Sequence, residues 1–152
     1  MQSKPAWSVA LAVGLAFTIF LAGQLSYAQE HKAINLPPAK GLPFSDGMLA
    51  GNTLYIAGQE GLDDSGKLMA GGIGPETKAA LDNIEKVLKA AGLELKDVVS
   101  VTVYLADIHD FAEMNKVYKG VVPDPKPARA TVQVAALVNG ARIEISAIAV
   151  KH

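Results

Sequence analysis

The sequence predicts an α+β fold, one sheet with helices packed on one of its faces, and three observations carry that expectation. Apolar residues recur at helical spacing between Pro75 and Ala91. β-branched residues dominate Val98 to Leu105, and Ile143 to Val150 is an apolar, strand-like run. A two-residue Gly51-Asn52 turn separates Met48-Leu49-Ala50 from Thr53 to Ala57, a hairpin signal. The resulting order is hairpin, helix, strand, helix, strand, strand, an α+β layout with helices covering one sheet face. At 152 residues the chain is one domain by length.

The elements follow in order. Residues 1–28 carry one early cation, Lys4, then an apolar run from Ala6 to about Gly23 and a small-residue site at Ser26-Tyr27-Ala28. This reads as a secretory signal cleaved near Ala28, so that the mature chain is exported, periplasmic or secreted. The alternative is a retained N-terminal anchor touching the membrane through residues 6–25, because the run is near the lower limit for a span. Residues 29–43 are Pro-rich and aperiodic and read as an arm or extended edge, leaving residues 44–152 as the folded domain. The first helix is expected to begin at Pro75 and to stop before Gly92, with Ala80, Leu81, Ile84, Val87, Leu88 and Ala91 on one apolar stripe. In Val98 to Leu105, Ser100, Thr102 and Tyr104 alternate against Val99, Val101 and Val103. A second helix takes Asp107 or Asp110 as N-cap and runs to about Tyr118. Pro123, Pro125 and Pro127 interrupt regular structure before a strand from Ala130 to about Ala135. A loop with Asn139-Gly140 leads to the last strand, Arg142 to Val150.

Composition removes several chemistries. The absence of cysteine excludes disulfides, zinc-thiolate sites and a cysteine nucleophile. A net charge of -1, with cations spread along the chain, gives no footprint for nucleic acid. His31, His109 and His152 are isolated and lack metal-ligand spacing, so no metal is expected. Gly72-Ile73-Gly74 fails the dinucleotide pattern because Thr77 stands at the third glycine, and no Gly-x-Ser-x-Gly elbow is present. No metal or organic cofactor is implied.

Two charged residues at the starts of apolar runs remain. Arg129 follows three prolines, and its planar, permanently charged guanidinium matches a carboxylate in a bidentate fork. Its bland alternative is a surface arginine at a loop end. Glu144 shares a strand face with Arg142 and Ser146 by alternation. It is either a cross-strand partner for a cation or a carboxylate that polarises a water.

The run Pro127-Ala128-Arg129-Ala130-Thr131-Val132-Gln133-Val134, with Ile143-Glu144-Ile145-Ser146-Ala147-Ile148-Ala149-Val150, resembles the signature of the RidA/YjgF family, formerly labelled endoribonuclease L-PSP. Asn52 to Gln59, Leu81 to Ile84 and Asp110 to Asn115 extend the resemblance over most of the chain after about residue 40. The resemblance implies a chorismate-mutase-like fold and a homotrimer with a site at each subunit boundary. It also implies hydrolytic deamination of 2-imino or enamine acids to 2-keto acids and ammonia. On that pattern Arg129 holds the substrate carboxylate, Glu144 directs water onto the imine carbon, and backbone near Gly58 bounds the pocket. Asn115 matches a residue contributed from the neighbouring subunit.

Two departures stand out. The deaminating branch has a tyrosine where Phe44 aligns and a serine where Ala57 aligns, so a phenol and a hydroxyl are missing together. Each lost hydrogen bond is typically worth about 0.5–1.5 kcal/mol. Thr131 also replaces a cysteine often found two residues after the arginine. The pocket keeps its charged pair and becomes more apolar, which bears on substrate preference. A non-catalytic trimer that binds small carboxylates is the competing reading. An endoribonuclease or translation inhibitor is a further one, for which a mildly acidic exported protein is poorly suited.

Overall fold

The computed structural model describes residues 30–37, 41 and 43–151; the expected signal or anchor lies outside them. Six strands and two helices follow one another as β1 His31–Ile34, β2 Gly47–Ala50, β3 Thr53–Glu60, α1 Ile73–Ala90, β4 Val98–Leu105, α2 Phe111–Val121, β5 Ala128–Gln133 and β6 Ile143–Val150. They form a single sheet in the order β1-β2-β3-β6-β4-β5. All neighbours are antiparallel except β4 and β5. A parallel pair needs a crossover, and α2 supplies it. Within the arm, His31–Ile34 form an extended edge, β1, paired from His31↔Ala50 to Ile34↔Gly47.

Strict alternation along β6 divides the molecule into two sides. Ile143, Ile145, Ala147 and Ala149 are buried and face the helices, with Leu54 and Ile56 of β3 and Val101, Val103 and Leu105 of β4. From α1, Ala80, Leu81, Ile84, Val87 and Leu88 close over them, the stripe that helical spacing predicts. Met114 and Tyr118 of α2 complete this core. The other side of the sheet is uncovered in the single chain. It presents Tyr55, Met48, Ile148 and Val150.

The boundaries depart from expectation where long-range pairing decides them. Helix α1 starts at Ile73, after Gly72 in the left-handed region, and Pro75 is its third residue. Proline is tolerated there because first-turn N–H groups have no intrahelical acceptor. At the other end Gly92 has φ +75, and its N–H and that of Leu93 donate to Lys89 and Leu88 carbonyls, the closing bonds of a Schellman motif. Val99 is not on the apolar face. Val98 pairs with Ala149 and Ser100 with Ile148, so Val99 is the extra residue of a bulge and is exposed. Asp107 caps a single 3-10 turn, Ile108–Asp110, by accepting from the His109 N–H at 2.9 Å. Asp110 makes no side-chain cap; it holds the Arg142 guanidinium at 2.8 Å, and α2 runs on to Val121. Strand β5 lies two residues earlier than expected because it pairs with β4 from Ser100↔Ala128 to Leu105↔Gln133, where β4 ends.

Candidate active site

Glu144 lies on the open side of the sheet, directly across from Glu60 on β3 and Tyr104 on β4. A bulge in β3 shapes its surroundings. Ile56 pairs with Ala147 and Gln59 with Ile145, so Ala57 and Gly58 together oppose Ser146. The Glu144 side chain folds over Gly58 so closely that a methyl there would lie 1.7 Å from Oε1. Burial pushes the Glu144 carboxyl above its ordinary value, and the negative charge of Glu60 adds to the effect. The Ala57 N–H donates to the Asp46 carbonyl at 2.9 Å, which ties the bulge to the segment leading into β2. Phe44, in that segment, is 58% exposed.

Arg129 stands on the other side. It pairs with Val101, whose side chain faces the helices, so Arg129 points toward α2. Its Nη2 donates to Asn115 Oδ1 at 2.5 Å. The guanidinium lies 4.4 Å from the centroid of the Tyr118 ring and 5.9 Å from that of Phe111. Phe111, Asn115 and Tyr118 are spaced i, i+4, i+7 and so line one face of α2. Burial raises the Tyr118 phenol, against the opposing pull of the Arg129 charge. The hydroxyls of Tyr118 and Thr131 are buried without a hydrogen-bond partner. Thr131 pairs with Val103 and therefore shares the Arg129 side.

The chain thus builds two half-sites on opposite sides of the sheet. One holds Glu144, Gly58 and Ala57; the other holds Arg129 and Asn115. Asn115 belongs with Arg129 on the same chain, and Glu144 is the residue set apart from both. Arg142, expected beside Glu144, is drawn away to Asp110. Tyr118, Phe111 and Glu60 were not anticipated. The first two could be found from their helical spacing to Asn115; Glu60 needed the register of the bulged pair.

A six-stranded sheet of this order, with two helices on one side and charged half-sites at β5 and β6, defines an α+β protein of the chorismate-mutase-like class. The chain belongs to the endoribonuclease L-PSP family, whose model matches residues 34–151. It is 51% identical over 115 residues to the 2-iminobutanoate/2-iminopropanoate deaminase of Bos taurus, covering 75% of this chain and 84% of that protein. RidA from an Antarctic Psychrobacter superposes with a TM-score of 0.72 at 39% identity, over 81% of this chain and 99% of that one. E. coli TdcF with bound serine gives a TM-score of 0.74 at 32% identity, over 80% of this chain and 99% of that one.

Proposed function

We propose that this protein hydrolyses 2-imino acids and their enamine tautomers to 2-keto acids and ammonia, as a homotrimer in which the Arg129 half-site of one subunit meets the Glu144 half-site of the next. The observation that carries the reading is the separation of those halves. A guanidinium already oriented by Asn115 and two rings suits a carboxylate, and a carboxylate of raised proton affinity suits a water and a leaving amine. Relatives at about half identity that are named for this reaction support it. The uncovered sheet side, with Tyr55, Ile148 and Val150, is the apolar surface that trimer formation would bury.

In the reaction the substrate carboxylate takes paired N–H donors from Arg129, which fixes the C=N carbon against the Glu144 half-site. Glu144 accepts a proton from a water as its oxygen bonds to that carbon and passes it to the nitrogen, giving a neutral carbinolamine. The same carboxylate then takes the carbinolamine hydroxyl proton and delivers it to the nitrogen as the C–N bond breaks, so that ammonia and the keto acid leave. Atoms and charge balance with water alone, so no cofactor is required.

The test uses the mature protein with imino acids generated in situ by an amino-acid oxidase and trapped by semicarbazide. Accelerated loss of imine is expected, and no acceleration across several side chains sinks the enzyme reading. Phe44 and Ala57 favour a second reading, a trimer that captures small carboxylates without turnover. Calorimetry with pyruvate and 2-oxobutyrate beside the deamination assay separates the two. We infer no nucleic-acid partner, in keeping with the net charge of -1. We also propose that residues 1–28 direct export with cleavage near Ala28. N-terminal sequencing of the fractionated protein, giving Gln29 in the soluble extracytoplasmic fraction, is the expected result.

A further inference from the structure

We propose that Glu60 is a positioning residue of this site that acts through Glu144, its negative charge governing when Glu144 releases and takes back its proton. The inference rests on the reading of Glu144 as the group that moves the proton, and it adds a residue which that reading does not use.

The geometry comes from the bulge in β3. With regular pairing continued from Ile56↔Ala147, Gln59 would oppose Glu144 and Glu60 would oppose Ile143, on the buried side. The extra residue at Ala57-Gly58 reverses that alternation. Glu60 comes to the open side directly across from Glu144, where cross-strand side chains approach most closely. The same bulge therefore clears the space over Gly58 and delivers a second carboxylate to its occupant. Glu60 is also tethered: Asn139 Nδ2 donates to its Oε2 at 3.2 Å. Asn139 has φ 58, a left-handed conformation that asparagine tolerates well, and this aims its amide at Glu60 from the turn before β6.

The groups facing Glu144 from each packed element are few. Strand β3 contributes Glu60, β4 contributes Tyr104, and the turn before β6 contributes the neutral Asn139. Among the described residues neither Glu60 nor Glu144 forms a salt bridge, since Arg142 is engaged by Asp110. In the proposed trimer Arg129 of the adjoining subunit adds a cation to the pocket. Two carboxylates placed side by side hold a proton more tightly than either alone. That serves a group which must be a base when water attacks and an acid when ammonia leaves, because such a group works best when its proton affinity lies near the working pH.

The experiment compares wild type, Glu60→Gln and Glu60→Asp as full trimeric proteins. The readouts are the pH dependence of kcat/KM and the carboxyl carbon shift of Glu144, assigned by its loss in Glu144→Gln. Glutamine keeps an acceptor for Asn139 and removes only the charge. The expected result is a fall in the Glu144 midpoint of roughly half a unit to one unit of pH in the glutamine variant, the scale of a like charge on a directly opposed strand residue in a partly solvated site. The acid limb of kcat/KM moves down with it, while the aspartate variant stays close to wild type. High salt should move the wild-type midpoint the same way by screening, a measurement that does not depend on any variant folding. An unchanged midpoint in the glutamine variant overturns the proposal, as does an equal change in the aspartate variant. A lowered midpoint with no deamination by any of the proteins leaves the hold of Glu60 on Glu144 standing and removes the deaminase reading instead.

Discussion

Gly58 and Glu144 share one volume: the carboxylate of Glu144 occupies the space that a side chain at Gly58 would need, with Oε1 1.7 Å from where a methyl would be. Gly58 is not among the residues with positive φ, so its backbone is open to other amino acids and the conflict lies in the side chain alone. The Glu144 side chain is flexible and can swing away. Gly58→Ala should therefore cost activity more than stability. We expect kcat/KM to fall by roughly 10² or more, the scale of a displaced acid/base group, with only a small change in melting temperature. Comparing steady-state kinetics with thermal unfolding of the same preparation checks this. A large drop in melting temperature with matching loss of trimer would assign Gly58 to the fold.

Arg129 and Asn115 give a second contrast. Lysine at 129 keeps a charge but has neither the paired donors nor the flat surface that rests against the Tyr118 ring. Arg129→Lys should lose most keto-acid affinity in calorimetry, and Arg129→Ala all that can be measured. At 115 the sign is informative. Asn115→Ala frees the guanidinium and should weaken binding by about tenfold at most, the value of one hydrogen bond. Asn115→Asp places a permanent carboxylate on the same Nη2 and competes with the substrate, so it should weaken binding further than alanine does. Equal affinity in the two variants would mean that Asn115 does not orient the fork.

What was legible in the sequence was local. The Gly51-Asn52 hairpin, the stop of α1 at Gly92 and the core stripe from Ala80 to Leu88 depend on neighbours a few residues away, and they stand where spacing puts them. Face and register were not legible, because they are set by partner strands. Ala128–Gln133 reads Ala-Arg-Ala-Thr-Val-Gln, with no apolar alternation, so only its pairing with Val101 and Val103 turns Arg129 and Thr131 toward α2. Glu60 changes sides through one inserted residue, and Val99 leaves the core through another. Arg129 and Glu144 stood out as charged candidates from residue type; their placement on opposite sides of one sheet was not legible.

Glu144 also ties pH to stability. Its folded-state proton affinity is raised, chiefly by burial and then by Glu60, so the ionised form is disfavoured in the folded protein. The stability that the neutral carboxyl retains is fully present below its unfolded value and is lost as pH rises through the higher folded value. Glu144→Gln removes the ionisation. The variant should therefore melt higher than wild type at pH 7, by about one to three degrees, a small gain because the half-buried group is still partly screened by solvent. The gain should vanish as pH falls below the carboxylate range. Turnover should drop by roughly 10² or more while keto-acid affinity stays within a few-fold. Parallel melting curves from pH 4 to 8 decide the point, and a variant less stable than wild type at pH 7 would contradict it.

Phe44 and Ala57 bear on which imino acid is used. Ala57 lies in the bulge beside Gly58 and shares the open side with Thr53 and Tyr55, the side that carries Glu144. Phe44 precedes β2 and is largely exposed in the single chain, available to a substrate or to an adjoining subunit. A methyl and a phenyl at these positions offer apolar contact and no hydrogen bond, so the pocket should reward substrate carbon. Each buried methylene is worth about 0.8 kcal/mol, close to fourfold in kcat/KM where the contact persists in the transition state. Imino acids derived from leucine, methionine or phenylalanine should therefore be hydrolysed roughly tenfold or more faster than the alanine-derived one. Phe44→Tyr combined with Ala57→Ser should move the preference back toward small substrates by adding two hydroxyls whose desolvation an apolar side chain cannot offset. Competition between alanine- and leucine-derived imines, generated together and resolved as their semicarbazones, reads both expectations in one assay. A wild-type preference for the alanine-derived imine would show that Phe44 and Ala57 do not set the pocket's polarity, and an unchanged ratio in the double variant would place the selection in the Tyr118 and Thr131 half instead.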